Sequence, residues 1–138
     1  MKRKIVLASH GGLAAGLLDT ARMIVGELPY EVEVYSLQVG KLAEDYARDL
    51  KKEIVEHADT EYIVLTDLYG ASVFSAMLFC VEQENVKLFS GMNLNMLLSV
   101  CLEHPQPLTG EDIEQIIKDA REGIRYAKLQ TETDREDF

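Results

Sequence analysis

The stretch Leu7-Ala8-Ser9-His10-Gly11-Gly12 decides how this chain folds. It closes an apolar run, Ile5-Val6-Leu7-Ala8, with a histidine and two glycines, and a helix-like pattern starts directly afterwards. Nothing in the run alternates, so it reads as a strand covered on both faces. Strand, tight turn and helix N-terminus form the unit at which α/β proteins place their reactive groups. The same grammar recurs in Ile63-Val64-Leu65-Thr66-Asp67, followed by Leu68-Tyr69-Gly70-Ala71-Ser72. One strand end offers an imidazole and the other a carboxylate, and the two can meet at one edge of a parallel sheet.

Outward from the first turn, Leu13, Leu17, Ala21, Ile24, Val25 and Leu28 fall at helical spacing. They predict an amphipathic helix ending near Gly26 or Pro29. Gly16 interrupts that helix at a cost of about 1 kcal/mol relative to Ala, which close packing against the sheet would explain. Glu31-Val32-Glu33-Val34-Tyr35 alternates, as a half-exposed second strand does. Leu42, Tyr46, Leu50 and Ile54 mark a second helix, Tyr62 to Thr66 a third strand, and Ala71-Ser72 opens a third helix carrying Val73, Ala76, Met77, Cys80 and Val81. Val86 to Ser90 reads as the fourth strand, turning at Gly91-Met92-Asn93 into a helix through Leu94, Leu97, Leu98 and Cys101 that Pro105 and Pro107 end. Thr109-Gly110-Glu111-Asp112 has the composition of a capped helix start, and Ile113, Ile116, Ile117, Ala120 and Ile124 give that last helix its apolar face.

Four β-α units in succession imply a parallel sheet with right-handed crossovers and helices on both faces, an open three-layer α/β sandwich. Beyond the last helix, Arg125, Ala127 and Leu129 alternate with Tyr126, Lys128 and Gln130, as a short edge strand does. The alternative is a helix running on to Leu129. Residues 1–130 read as a single domain and 131–138 as a polar tail.

The formal net charge is −10 over 138 residues, which disfavours nucleic acid and anionic membrane surfaces, since both need a basic footprint. Met1-Lys2-Arg3-Lys4 opens like a signal peptide, but the apolar run after it is too short for an h-region. No stretch is long enough to span a bilayer. Cys80 and Cys101 lack metal-like spacing and read as buried reduced thiols. A cytoplasmic protein is expected.

Ligands of open parallel sheets bind beyond the carboxyl ends of the strands, and every candidate lies there: His10, Thr66-Asp67 and Ser90-Gly91. Gly11, Gly12, Gly70 and Gly91 let backbone approach a ligand and leave N–H groups suited to an anion such as phosphate. A histidine there can act as base, metal ligand or nucleophile; the plainer reading makes His10 a hydrogen-bonded residue and Asp67 a helix cap. His57 and His104 have no ligand-like spacing, so no metal is expected. The sequence has no G-x-x-x-x-G-K-[ST] loop, no G-x-G-x-x-G and no G-x-S-x-G. A nucleophilic histidine, an orienting carboxylate and anion-ready backbone survive this elimination.

His10 with Gly11-x-Leu13-Ala14-x-Gly16, Asp67-Leu68-x-Gly70-x-Ser72, and Gly91-x-Asn93-Leu94-x-Met96-Leu97 resemble the enzyme IIA component of mannose-type sugar phosphotransferase systems. The resemblance runs from about Ile5 to Leu98. It implies a phosphotransferase in which His10 accepts a phosphoryl group from the phosphohistidine carrier protein (HPr) and passes it to a IIB component, with Asp67 supporting the histidine. It also implies a homodimer in which an antiparallel strand near the C-terminus is exchanged, and it allows peripheral association with a membrane transporter complex. Two stretches depart from the family pattern. Gly-Gly-Ser-Pro-x-Asn becomes Gly70-Ala71-Ser72-Val73-Phe74-Ser75, and Leu-Pro-Met becomes Leu94-Asn95-Met96.

The physics fits this resemblance. A free imidazole with a pKa of about 6.5 is largely neutral and nucleophilic at neutral pH. Asp67 accepting the Nδ1 proton would leave Nε2 to attack, while backbone around Gly11, Gly12, Gly70, Ala71 and Ser72, with the Ser72 hydroxyl, would stabilise the phosphate. No metal or cofactor is implied, because the donor is another histidine. Two related readings stand beside it: a regulatory or binding module of the same fold without turnover, and a phosphocarrier of a dihydroxyacetone kinase system. A receiver-like domain phosphorylated on Asp67 lacks the acidic cluster that Mg²⁺ needs near the first strand.

Overall fold

In the computed structural model residues 2–129 are described. Strand β1 (Lys2–His10) is followed by α1 (Leu13–Val25), β2 (Glu31–Leu37), α2 (Ala43–Glu56), β3 (Thr60–Thr66), α3 (Ser72–Met77), β4 (Val86–Phe89), α4 (Leu94–Glu103) and α5 (Gly110–Glu122). A single 3₁₀ turn, Leu78–Cys80, finishes α3. All strand pairs are parallel, in the order β2-β1-β3-β4. The central pair is covered on both faces, and all seven residues of β3 are buried. Such strands need apolar side chains at every position, which is why Ile5 to Ala8 and Ile63 to Leu65 do not alternate. β2 lies at an edge and is only half-buried, hence its alternation.

The odd positions of the central strands, Ile5, Leu7, Ile63 and Leu65, pack with α1, α4 and α5. The even ones, Val6, Ala8 and Val64, pack with α2 and α3. Each helix presents a narrow apolar stripe: Ala14, Leu18 and Ala21 on α1, and Ala43, Ala47, Leu50 and Ile54 on α2. α5 begins with the expected cap, and a reciprocal pair joins Thr109 and Asp112. The chain leaves β1 over one face and β3 over the other, so the crossovers diverge between these two strands. A crevice opens at their carboxyl ends, as at the switch point of any doubly wound sheet.

Two expectations need correction. Gly16 does not pack closely on the sheet: it is exposed, and a Cβ there would meet nothing within 4 Å. Two residues of helix turn it roughly 200° from the buried Ala14, onto the solvent side. The last helix stops at Glu122 rather than including Ile124 or running on to Leu129. Residues 124–129 form neither helix nor strand, so the sheet of the described residues is wholly parallel. An alternating segment becomes a strand only against an edge, and Ile124, Tyr126 and Leu129 lie exposed. Gln130 and the tail 131–138 lie outside the described residues.

Candidate functional site

His10 ends β1, and Asp67 follows the last residue of β3. Because β1 and β3 are neighbours in the sheet, 57 residues of separation shrink to direct contact. One carboxylate oxygen, Asp67 Oδ2, accepts from the His10 backbone N–H at 2.7 Å and from its ring Nδ1 at 2.8 Å. A carboxylate only accepts, so Nδ1 carries the proton and the Nε2 lone pair is open. Ser72 Oγ lies 3.0 Å from Nε2 and donates to it. The imidazole is thus held from both sides, with its side chain 48% exposed while that of Asp67 is only 12% exposed. Burial pushes the Asp67 carboxyl up, but the backbone N–H and imidazole of His10 outweigh it and hold the group below the usual carboxylate range. Its other oxygen, Oδ1, is buried and has no hydrogen-bond partner among the described residues.

The surrounding loops are tied by backbone. Gly11 N–H donates to Leu37 C=O at 2.9 Å, with Gly11 at a φ of 53° that favours glycine. Gly91 N–H donates to Asp67 C=O at 2.6 Å and Met92 N–H to Thr66 C=O at 3.0 Å, so the loop after β4 braces the carboxylate. The Thr66 hydroxyl donates to Phe89 C=O, joining the same two strand ends. Ser9, buried beneath His10, accepts from Ala14 N–H at 2.8 Å and satisfies an N-terminal donor of α1. The Ala71 N–H is spent on Leu68 C=O. Gly11 and Ala71 therefore shape the loops, whereas among the described residues the backbone N–H groups of Gly12, Gly70 and Ser72 have no hydrogen-bond acceptor.

The changed second motif keeps this geometry. Val73 is fully buried against the sheet, Phe74 packs its ring on Tyr69 at 4.8 Å, and the Ser75 hydroxyl donates to Gly70 C=O. These contacts fasten α3 with Ser72 facing His10. Around the histidine, Leu13, Val39, Leu68 and Tyr69 are each more than half exposed and form an apolar rim.

Two features of the site have little sequence signal. The brace from Gly91 and Met92 depends on β4 lying beside β3, and the Ser9 hydroxyl looks like any buried strand serine. His57 and His104 lie away from the site; their Nδ1 atoms pair with Glu53 C=O and the Asp112 carboxylate. Cys80 and Cys101 are buried free thiols, as expected.

Residues 4–117 match the family model described as the PTS system fructose IIA component. The chain is 26% identical over 134 residues to the sorbose-specific EIIA component of the phosphotransferase system of Klebsiella pneumoniae, covering 96% of this chain and 97% of that protein. It is 28% identical over 127 residues to the mannose-specific EIIAB component of Escherichia coli K12, but spans only 39% of that longer protein. Among solved structures, phosphotransferase component EIIA from Streptococcus agalactiae superposes with a TM-score of 0.77 at 28% identity, over 90% of this chain and 96% of that one. The IIA protein associated with the fucose utilization operon of Streptococcus pneumoniae gives 0.75 at 29%, over 91% and 93%.

Proposed function

Because the chain belongs to the mannose-type IIA family of sugar phosphotransferase components, we propose that it is a phosphocarrier that takes a phosphoryl group onto His10 Nε2. The donor is the phosphohistidine carrier protein and the acceptor a IIB component. One observation carries the reading: the pairing of Nδ1 with Asp67 leaves Nε2, on a side chain 48% exposed and with the Ser72 hydroxyl against it, as the ring's nucleophilic nitrogen.

In this reading Nε2 attacks phosphorus in line as the donor's N–P bond breaks, and the donor imidazole leaves with its electron pair. Positive charge builds on the His10 ring as the new N–P bond forms, and the Asp67 carboxylate opposes it across 2.8 Å. The Ser72 hydroxyl swings from Nε2 to a phosphoryl oxygen. The N–H groups of Gly12, Gly70 and Ser72 supply further donors to the equatorial oxygens. For passage onward the same steps run in reverse toward IIB. The apolar rim of Leu13, Val39, Leu68 and Tyr69 suits a site whose substrates are proteins, because buried apolar anchors provide most docking energy.

The family also supports a cytoplasmic homodimer in which residues 124–130 of one subunit pair with the free edge of β4 in the other. An apolar groove of about 430 Å³ runs beside that edge, between β4 and α5. Among the described residues no helix is long and apolar enough to cross a membrane, so contact with a transporter is peripheral in this reading. The deciding experiment is incubation with phosphorylated carrier protein and mapping of the label. Acid-labile, alkali-stable phosphate on His10, lost in His10→Ala, is expected. A folded protein that accepts no phosphate supports the regulatory-module reading instead, and label on His57 or His104 overturns the assignment.

A further inference from the structure

We propose that Glu103, His104 and Asp119 form a binding site for a divalent first-row transition cation, with Asp112 orienting the histidine. The site is remote in role from His10 and independent of phosphoryl transfer. A ring nitrogen of His104 and carboxylate oxygens of Glu103 and Asp119 all lie within 4.8 Å of one another, at the end of α4 and the middle of α5. Nδ1 is already taken, 3.0 Å from Asp112 Oδ1, so Nε2 is the ligand atom left. It is buried and has no hydrogen-bond partner among the described residues, on a side chain only 10% exposed. A buried ring nitrogen without a partner is costly, and a metal ion supplies the missing one.

The neighbouring groups are arranged as such a site needs. A histidine that ligates through one nitrogen usually donates its other N–H to a carboxylate, which fixes the tautomer and raises its basicity. Asp112 stands in that position, itself held by the backbone N–H of Thr109 at 2.8 Å. The Ser99 hydroxyl lies 2.9 Å from Asp119 Oδ2 and 3.5 Å from Glu103 Oε2, which brings the two carboxylates together. Among the described residues no lysine or arginine forms an ion pair with either, and Asp119 Oδ1 accepts from Gln115 Nε2 at 2.7 Å. A surface groove of about 400 Å³, lined by Ser99, Glu103, Asp119 and Arg125 among others, gives access to the two carboxylates. One imidazole and two carboxylates suit Zn²⁺ or a similar ion and leave a position for water. Hard ions such as Mg²⁺ and Ca²⁺ prefer oxygen ligands alone. No sequence spacing announces the set, because its ligands come from two helices.

The test uses untagged full-length protein freed of metal with a chelator. Zn²⁺ titration is read by calorimetry, and long-range ¹H–¹⁵N spectra report the imidazoles. One Zn²⁺ per chain is expected, shifting His104 Nε2 while Nδ1 keeps its proton. Binding should weaken about 10–100-fold in Asp112→Asn and by at least as much in Asp119→Asn and His104→Gln, with His10→Ala unaffected. Asp119 is a helix-surface residue, so its variant remains informative if His104→Gln folds poorly. Absence of saturable binding overturns the proposal. So does binding that survives both ligand variants, or a spectrum in which His10 or His57 moves instead.

Discussion

The same two strands carry an ionisable pair at each end, and the two pairs are built differently. At the amino ends, Arg3 and Glu61 are register partners on β1 and β3, with Arg3 Nε 2.8 Å from Glu61 Oε1 and side chains 0% and 1% exposed. Arg3 also donates to Val100 C=O and His104 C=O, while Glu61 accepts from Leu108 N–H. At the carboxyl ends, His10 and Asp67 sit just where the strands give way to loops, and half of the imidazole faces water. The lower pair is sealed by α4 and by the segment leading into α5, so its charges hold structure together. The upper pair is flanked by glycine turns, so its carboxylate holds a reactive group in place. Burial, not the presence of charge, separates the two roles.

The sharpest way to break this contrast is a double dissociation. Glu61→Ala leaves a buried guanidinium without its carboxylate and should cost about 3–5 kcal/mol of stability, measured by urea unfolding, while the folded fraction still accepts phosphate. His10→Ala should abolish acceptance entirely and leave the unfolding midpoint nearly unchanged, because the imidazole is half exposed. If Glu61→Ala instead removed acceptance with stability intact, the lower end would belong to the site and the contrast would fail.

Next in size is Asp67→Ala. Losing the acceptor for Nδ1–H frees the imidazole to rotate and change tautomer, and should slow transfer about 10²–10⁴-fold. The comparison is with Glu44, an exposed carboxylate in the first turn of α2, whose replacement should leave transfer as it was. Equal rates for the two variants would reduce Asp67 to a loop cap.

Acid gives a smaller, graded effect. The folded pKa of Asp67 is held below its unfolded value, so its contribution to stability is present above the ordinary carboxylate range. That contribution fades as pH falls through the folded value. Unfolding of wild type and Asp67→Asn compared down the acid range should show a stability gap that closes below the ordinary carboxylate pKa. A gap that closes at neutral pH would mean that another group controls it.

Much of this contrast was legible in the chain, and the parts that were not share one cause. The helices show their period, β2 alternates, the buried β1 and β3 read as unbroken apolar runs, and His10, Asp67 and Ser72 stand out because each lies just beyond such a run and near a glycine. Their contact follows only from β1 lying beside β3, which the order β2-β1-β3-β4 establishes. Nothing local marks Arg3 and Glu61 as a buried pair, because the helix α4 that roofs them lies far along the chain. Segment 124–129 alternates like a strand without an edge of its own to join, so pattern alone could not say what it does. Local signals name the elements; which charges are covered depends on distant ones, since Arg3 meets Glu61, 58 residues on, and Glu61 accepts from Leu108 a further 47 on.

Gly16 lies on the open side of the comparison and carries the smallest expected effect. In an exposed helix interior, glycine loses more backbone freedom on folding than alanine does, by about 0.5–1 kcal/mol. A tight contact would justify the glycine, yet a Cβ built here meets nothing within 4 Å. Nor is its φ positive, so alanine fits the existing backbone without strain. Gly16→Ala should therefore stabilise the folded protein by up to about 1 kcal/mol, read as a higher urea midpoint with an unchanged slope. Gly123 is the internal control, because a Cβ there would lie 2.6 Å from the amide of the exposed Asn95 side chain, which must swing aside, so Gly123→Ala should gain less than Gly16→Ala. If both variants destabilise, the outer face of α1 is packed after all, and the closed part of the molecule extends up to the turn that carries His10.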